Sequence, residues 1–497
     1  MRFAHLVHVI GITLMALSVA LAFTGVVSLA YREPETLAFL GSAVIAFGVG
    51  FVAYRRTRLE RDLTIREGYA VVALSWITVG VAGAIPYLFT GVLTLPSAAL
   101  FESVSGFTTT GATVFSAIEE LPRGILFWRS VTQWLGGMGI VLLGIAILPF
   151  LGVGGMQLYR AEVPGPTKER LTPRIRQTAT TLWYVYAGLT ALQVLLYLLG
   201  GMSLFEAVNH AFTTLSTGGF SPRNGSIADY DSAYIHYVTI VFMYLAGINF
   251  TLHYQATRRR LRYGQDAEWR FYTVAVLVAT AALFVIALGS GVGVGIERTF
   301  REALFQATSI ATTTGFVTFD YELWGAAAQF LILLLMFMGG MAGSTAGGMK
   351  AMRVRLLLRH GLTELKRSLH PRAVIVARIG TSTIGDRTFL RVLAFALGFM
   401  WLFAVGTFVL TLLGQDLVTA IGASAASIGN IGPGLGAVGA VDNYGWMGPP
   451  AHLVLVFLML AGRLELFTIL LLFHPDLWRR HERAHTRRPG LGRVGAR

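Results

Sequence analysis

Phe107-Thr108-Thr109-Thr110-Gly111-Ala112-Thr113 recurs in altered form along the chain. Ser216-Thr217-Gly218-Gly219-Phe220, Thr312-Thr313-Thr314-Gly315-Phe316 and Asn430-Ile431-Gly432-Pro433-Gly434 follow it. With Gly111, Gly218, Gly315 and Gly432 as the matching glycines, the intervals are 107, 97 and 117 residues. Each stretch comes after a short, half-polar segment and before a long apolar one. One Thr-Gly turn is uninformative. Four in register read as quarters of a single ion filter.

The 497-residue chain is 54% hydrophobic and only 13% charged, with a mean hydropathy of +0.63. Soluble domains carry about a quarter charged residues. Several apolar runs reach the ~20 residues that a bilayer span requires, so the chain reads as an all-α polytopic membrane protein. The run from Leu6 is not followed by an Ala-x-Ala-like site and a soluble domain, and is taken as a resident helix. The absence of cysteine excludes disulfides, thiolate metal sites and cysteine nucleophiles. The net charge of +14 is assigned to membrane topology rather than to nucleic acid.

Candidate spans are Leu6–Ala30, Leu37–Tyr54, Gly68–Gly91, Ile125–Gly152, Thr180–Gly201, Ile235–Gln255, Phe271–Val294, Ala326–Met338 with a continuation beyond Gly348, Thr388–Gly414 and Pro450–Phe473. Counting the eighth as one broken helix gives ten. This arrangement places 33 of the 40 basic residues on one face, which makes that face and both termini cytoplasmic. The other face keeps Arg32, Arg123, Arg129, Arg223, Arg298 and Arg301, with Arg463 left inside a span.

Before each glycine stretch lies a segment too short or too polar to cross: Ser97–Thr108, Ser203–Leu215, Thr299–Ala311 and Asp416–Ser427. A 12-residue helix is about 18 Å long, enough to reach mid-membrane and no further. The repeated unit is helix, half-helix, filter loop, helix, set around a central pore. Repeats one to four cover residues 67–176, 177–268, 269–386 and 387–474, with an N-terminal hairpin over 1–66 and a basic tail over 475–497.

Non-helical backbone at membrane depth is tolerable only where it lines a wet cavity or is buried in protein. Glycine lets successive carbonyls face one way, and a ring of carbonyls replaces a cation's hydration shell. The half-helices aim their negative C-terminal dipoles at the same axis. Thr109, Thr110, Thr217, Thr313 and Thr314 add hydroxyl oxygens or brace the loops. The fourth copy, Asn430-Ile431-Gly432, has no threonine and makes the filter asymmetric. Glu102, Asn209 and Gln306 each stand nine residues before their glycine and are read as half-helix braces; Ala423 breaks the series.

The eighth span is interrupted between Gly339 and Lys350, where five of twelve residues are glycine. Each glycine costs a helix about 1 kcal/mol relative to alanine, so Gly343, Ser344, Thr345, Ala346, Gly347 and Gly348 belong to a loop in the cytoplasmic half of the membrane. Arg463 is read as the only basic residue deep in a span, 13 residues after Pro450 and 10 before Phe473. A lone charge there points to function; the alternatives are snorkelling or pairing with Glu465. Lys350 acts with it or anchors at the interface. Glu119, Glu120, Asp229, Asp231, Asp320, Glu322 and Asp442 lie in the outer linkers, either concentrating cations or simply solvated. No phosphate-cradling Gly-x-x-x-x-Gly-Lys-Ser/Thr motif occurs and no metal site is assigned to the eleven histidines, so no organic cofactor and no enzyme site is expected in this chain.

From Gly68 to Phe473 the chain resembles the pore subunits of Trk-type bacterial potassium uptake systems, in the Trk, Ktr and HKT superfamily of cation transporters. The N-terminal hairpin favours the Trk branch. The resemblance implies that a glycine in each repeat (Gly111, Gly218, Gly315, Gly432) marks potassium as the transported ion. It also implies that the loop through Gly343–Gly348 is an intramembrane gate facing Arg463, in a homodimer in the bacterial inner membrane. A cytosolic nucleotide-binding ring of the TrkA type is the implied partner, with Arg353–Arg378 and the tail from Arg479 as its docking surfaces; attraction to anionic membrane lipid explains these basic stretches as well. The competing readings are a secondary transporter working by alternating access and a non-transporting scaffold.

Overall fold

The computed structural model describes residues 2–58, 63–146, 171–259, 261–292, 295–370, 378–379, 382–383 and 386–478. Helices α1 (Phe3–Ala30) and α2 (Thr36–Arg56) form the N-terminal hairpin. They close on glycine: a Cβ on Gly11 would stand 2.7 Å from the Gly50 carbonyl, and one on Gly50 equally near that of Gly11. Small residues allow such backbone approach in membranes. Glu33, in the hairpin's turn, accepts the N–H groups of Arg123 (2.6 Å) and Gly124 (2.9 Å), tying the hairpin to the start of the helix that follows the first glycine stretch.

The remaining elements follow a recurring order. Helix α3 (Ile65–Phe89) leads to short α4 (Pro96–Phe107), then α5 (Arg123–Ala146). Helix α6 (Leu171–Leu199) leads to short α7 (Leu204–Leu215), then α8 (Ala233–Ala246) and α9 (Phe250–Thr257). Helix α10 (Ala267–Gly289) leads to α11 (Ile296–Ala311), α12 (Ala326–Met336) and α13 (Ala351–Leu369). Helix α14 (Asp386–Leu412) leads to α15 (Leu417–Gly429), α16 (Pro449–Arg463) and α17 (Phe467–Leu470). The only strands among the described residues are a two-residue pairing of Arg378–Ile379 with Ser382–Thr383.

Local sequence explains the helix starts. Thr64 with Glu67, and Ser203 with Glu206, form capping boxes on α3 and α7. Asp266 and Asp416 accept the first N–H groups of α10 and α15, and Pro96 and Pro449 open α4 and α16 where no donor is required. The C-terminal turns of all four short helices are buried.

Six described helices are long and apolar enough to cross a membrane, or eight if each bent pair counts as one span. Ten were expected. Of the other two, α5 carries Arg129, Ser130, Thr132 and Gln133 buried on one stretch, so its polarity is turned inward, and the expected end of that span lies outside the described residues. Helix α12 stops after 11 residues at the glycine loop. The sixth and tenth spans are not straight. Helices α8 and α9 meet at 102°, and α16 and the segment Phe467–Phe473 at 116°. The first break falls at Gly247-Ile248-Asn249, where Asn249 caps α9. The second falls at Glu465 and Leu466, both left-handed with φ of 57° and 51°.

Replacing Ser203 with alanine removes the α7 cap, which is expected to cost about 1 kcal/mol. The check is a lowered thermal midpoint in detergent with unaltered ion discrimination.

Candidate functional site

Four turns follow the four short helices, and they share φ signs and back-bonds residue for residue. Thr109, Thr217, Thr313 and Asn430 are left-handed, with φ of 53°, 54°, 57° and 53°. The next residue in each turn donates its N–H back five positions into the helix: Thr110 to Ser105 (2.9 Å), Gly218 to Thr213 (2.8 Å), Thr314 to Ser309 (2.8 Å) and Ile431 to Ala426 (2.9 Å). The residue after that is a glycine with positive φ: Gly111, Gly219, Gly315 and Gly432. The second repeat therefore matches through Gly219, and the expected use of Gly218 was one residue out of register. Gly218 instead stands level with Thr110, Thr314 and Ile431. Phe220 carried the signal, since it follows Gly219 as Phe316 follows Gly315.

These glycines lie against the next turn in order. A Cβ on Gly111 would be 2.0 Å from the Gly218 carbonyl oxygen, one on Gly219 2.0 Å from that of Thr314, and one on Gly315 1.9 Å from that of Ile431. A Cβ on Gly432 would be 2.7 Å from the Thr110 oxygen, which closes the circuit. All four expected stretches thus meet at one place, with the carbonyls of Thr110, Gly218, Thr314 and Ile431 at the contacts. Thr109 Oγ1 and Asn430 Oδ1 are buried without a partner among the described residues.

Side chains brace each turn from behind. Thr108 and Thr110 hydroxyls bond to one another at 2.7 Å, as do those of Thr312 and Thr314. Gln133 donates to the Gly218 carbonyl at 2.7 Å and accepts from Phe220 N at 3.1 Å. Asn430 donates to Thr110 Oγ1 at 3.0 Å and to the Met459 carbonyl at 2.9 Å. Glu102 accepts from Thr113 Oγ1 and Val114 N and pairs with Arg129 at 2.8 Å. Arg129 is 1% exposed; it donates to the Ser221 carbonyl and lies over the Phe220 ring. This joins the first turn to the second. Gln306 donates to the Phe319 carbonyl as a brace. Asn209 turns back onto its own helix at Phe205; in the corrected register the equivalent of Glu102 is His210, which bonds Ser221 Oγ at 3.1 Å.

The linker acids hold loops. Glu119 accepts from Asn224 N, Asp229 from Gly225 N, Asp320 from Glu322 N and Glu322 from Gly436 N. Burial lifts the Glu322 carboxyl above its ordinary value, and Asp320 and Asp442 nearby push it the same way. No group of three or more His, Cys, Asp or Glu suited to a metal occurs among the described residues.

The segment from Gly339 to Lys350 is non-helical and packs directly against the turns. Gly347 N donates to Thr313 Oγ1 (2.6 Å), Gly348 N to the Gly429 carbonyl (3.0 Å) and Thr345 Oγ1 to the Leu215 carbonyl (2.9 Å). The loop is also held in the break between α8 and α9, through Met341 N to Gly247 O and Phe250 N to Gly343 O. Glu268, buried at the start of α10, accepts from Ala342 N at 2.8 Å and Met352 N at 3.0 Å, so one carboxylate oxygen grips both flanks. Nothing in the sequence spacing pointed to it. Arg463 is 2% exposed and donates to the Thr345 carbonyl at 2.8 Å and to Gly136 O at 3.4 Å. It does not pair with Glu465, which binds Arg353 at 2.5 Å instead. Lys350 donates to the Ala346 carbonyl within the same loop.

A family model described as a cation transport protein, TrkH, matches residues 37–480. The chain is 40% identical to the Trk system potassium uptake protein TrkH of Halomonas elongata over 97% of its own length and 100% of that protein's. It is 34% identical to the Trk system potassium uptake protein TrkG of Escherichia coli (strain K12), covering 95% of this chain and 98% of that one. The crystal structure of the potassium transporter TrkH from Vibrio parahaemolyticus superposes with a TM-score of 0.90 at 37% identity, covering 96% of this chain and 100% of the other. The relatives are named as transport proteins, not enzymes. This chain, a multi-pass helical membrane protein, belongs to the TrkH family of cation transport proteins.

Proposed function

We propose that the chain takes up potassium across the bacterial inner membrane through a gated pore, with the four turns as its selectivity filter. The observation that carries this reading is the closed circuit of glycine-to-carbonyl contacts among Gly111, Gly219, Gly315 and Gly432. A dehydrated cation on the axis of that circuit exchanges water oxygens for the carbonyls of Thr110, Gly218, Thr314 and Ile431. The buried C-terminal ends of α4, α7, α11 and α15 add negative potential at the same point. Thr109 and Asn430, whose unpartnered oxygens lie one residue before those carbonyls, serve an ion still carrying part of its hydration. Each quarter comes from one of the repeats 67–176, 177–268, 269–386 and 387–474.

In this reading Gly339–Lys350 is the gate. Its bonds to Thr313, Gly429 and Leu215 support a position at the foot of the filter, and the bond from Arg463 to Thr345 supports a role for that positive charge on the ion's route. Opening requires the loop to leave Arg463 and the two N–H bonds to Glu268. Both termini face the cytoplasm, the protein works as a homodimer, and a cytosolic nucleotide-binding partner of the TrkA type biases the loop. Arg353, at the edge of the expected docking stretch, is occupied by Glu465, so docking falls to the residues beyond it. Residues 371–377 and the tail from Arg479 lie outside the described residues.

Rubidium uptake into proteoliposomes tests the filter: wild type is expected to take up rubidium against excess sodium, and Gly315→Ser to lose that discrimination. A wild type that moves no rubidium, or a mutant that still rejects sodium, overturns the assignment. The gate is tested in the same vesicles without any partner protein. Deleting Gly343–Gly348 should raise basal flux, and Glu268→Ala should raise it about thirtyfold, as expected for losing two hydrogen bonds of about 1 kcal/mol each. Glu268→Gln, whose amide oxygen accepts the same two N–H groups, should stay near wild type.

A further inference from the structure

The fourth turn, tied to its neighbours through Asn430, lacks the side-chain bonds that hold the backbone carbonyls of the others. Where the first and third have Ser105 and Ser309 donating to the Ala112 and Phe316 carbonyls at 2.6 and 2.7 Å, the fourth has Ala426. In place of the bonded threonine pairs it has Gly429 and Ile431. The second turn is held by Gln133. Nothing on α15 or its turn supplies a comparable bond to the carbonyls after Ile431.

Two phenols from the linkers fill that role. Tyr444 Oη donates to the Gly432 carbonyl at 2.9 Å, and Tyr321 Oη to that of Gly434 at 2.6 Å. Both residues are buried, and burial raises both phenols above their ordinary range, so each remains a neutral donor. Tyr444 is itself fixed: its N–H donates to the Thr113 carbonyl at 2.8 Å, its carbonyl bonds His452 Nε2 at 2.9 Å, and its ring lies 5.4 Å from that of Phe101. It therefore spans the seam between the first and fourth turns, where Gly432 approaches Thr110. That seam joins segments about 320 residues apart, with no short linker to hold them in register.

On the filter reading given above, we propose that Tyr444, assisted by Tyr321, is a specificity-determining positioning residue: its hydroxyl holds the Gly432 carbonyl, and through that peptide the adjoining Ile431 carbonyl of the circuit, in the geometry that separates potassium from sodium. Whether discrimination comes from ring size or from carbonyl field strength, it depends on four carbonyls kept in place. The fourth of them, Ile431, adjoins Gly432, whose carbonyl is held by Tyr444 and by no side chain of its own helix.

The test is Tyr444→Phe, which removes a single oxygen and keeps the ring packing. In proteoliposomes, the sodium concentration that halves rubidium uptake should fall about tenfold, equivalent to about 1.4 kcal/mol, with an unchanged size-exclusion profile. Tyr321→Phe, away from the seam, should show a smaller loss and serves if Tyr444→Phe is not recovered folded. Unchanged discrimination in the recovered variants, or an equal loss of both ions' transport, overturns the proposal. Gly432→Ser, measured alongside, separates the two ideas. If it loses discrimination while both phenylalanine variants keep it, only the tyrosine role falls; if it too keeps discrimination, the filter reading fails.

Discussion

Everything in this structure is arranged so that four glycine Cα atoms can lie against four carbonyl oxygens. A Cβ at Gly111, Gly219 or Gly315 would be about 2 Å from the neighbouring turn's oxygen, well inside van der Waals contact, and positive φ independently favours glycine at each of them. The contacts are backbone to backbone and come from sequence positions about a hundred residues apart. Such an arrangement cannot form piecemeal. It requires each short helix to end at the same depth and each turn to leave it by the same dihedral path, as the repeated left-handed residue and the repeated five-residue back-bond show.

Polar groups at membrane depth follow from that requirement. Irregular backbone exposes N–H and C=O groups that lipid cannot satisfy, so side chains rarely tolerated in a membrane are placed where they complete those bonds. Arg129 and Glu102 occupy the junction of the first two turns, Gln133 both polar ends of the second, and Glu268 both flanks of the glycine loop. Arg463 has backbone carbonyls as its partners. A buried charge without a counter-charge is costly, and in this class of protein it marks function. The glycine loop thus supplies backbone partners to both Arg463 and Glu268.

The all-helical membrane class, the four short helices and their meeting point were readable from the chain, because apolar length, glycine and threonine act locally. The short helices run within a few residues of expectation, the third starting earlier at Ile296. Three features were not readable. The register of the second turn hung on two adjacent glycines; the single sequence cue, Phe220 after Gly219 as Phe316 after Gly315, is slight, and the dihedral path decides for Gly219. The bends after α8 and α16 interrupt runs that hydropathy counts as continuous; at the second, a non-glycine pair, Glu465 and Leu466, is left-handed because Arg353 and the core hold it there. Gln133, Glu268 and Tyr444 act across tens to hundreds of residues, and no spacing rule reports a partner that distant.

Rubidium-soaked crystals measured at the rubidium absorption edge address the shared axis without relying on flux. The arrangement described here places anomalous density inside the circuit of Gly111, Gly219, Gly315 and Gly432, within coordination distance of the carbonyls of Thr110, Gly218, Thr314 and Ile431. Density that avoids that circuit, or four turns found apart with protein packed between them, would contradict it.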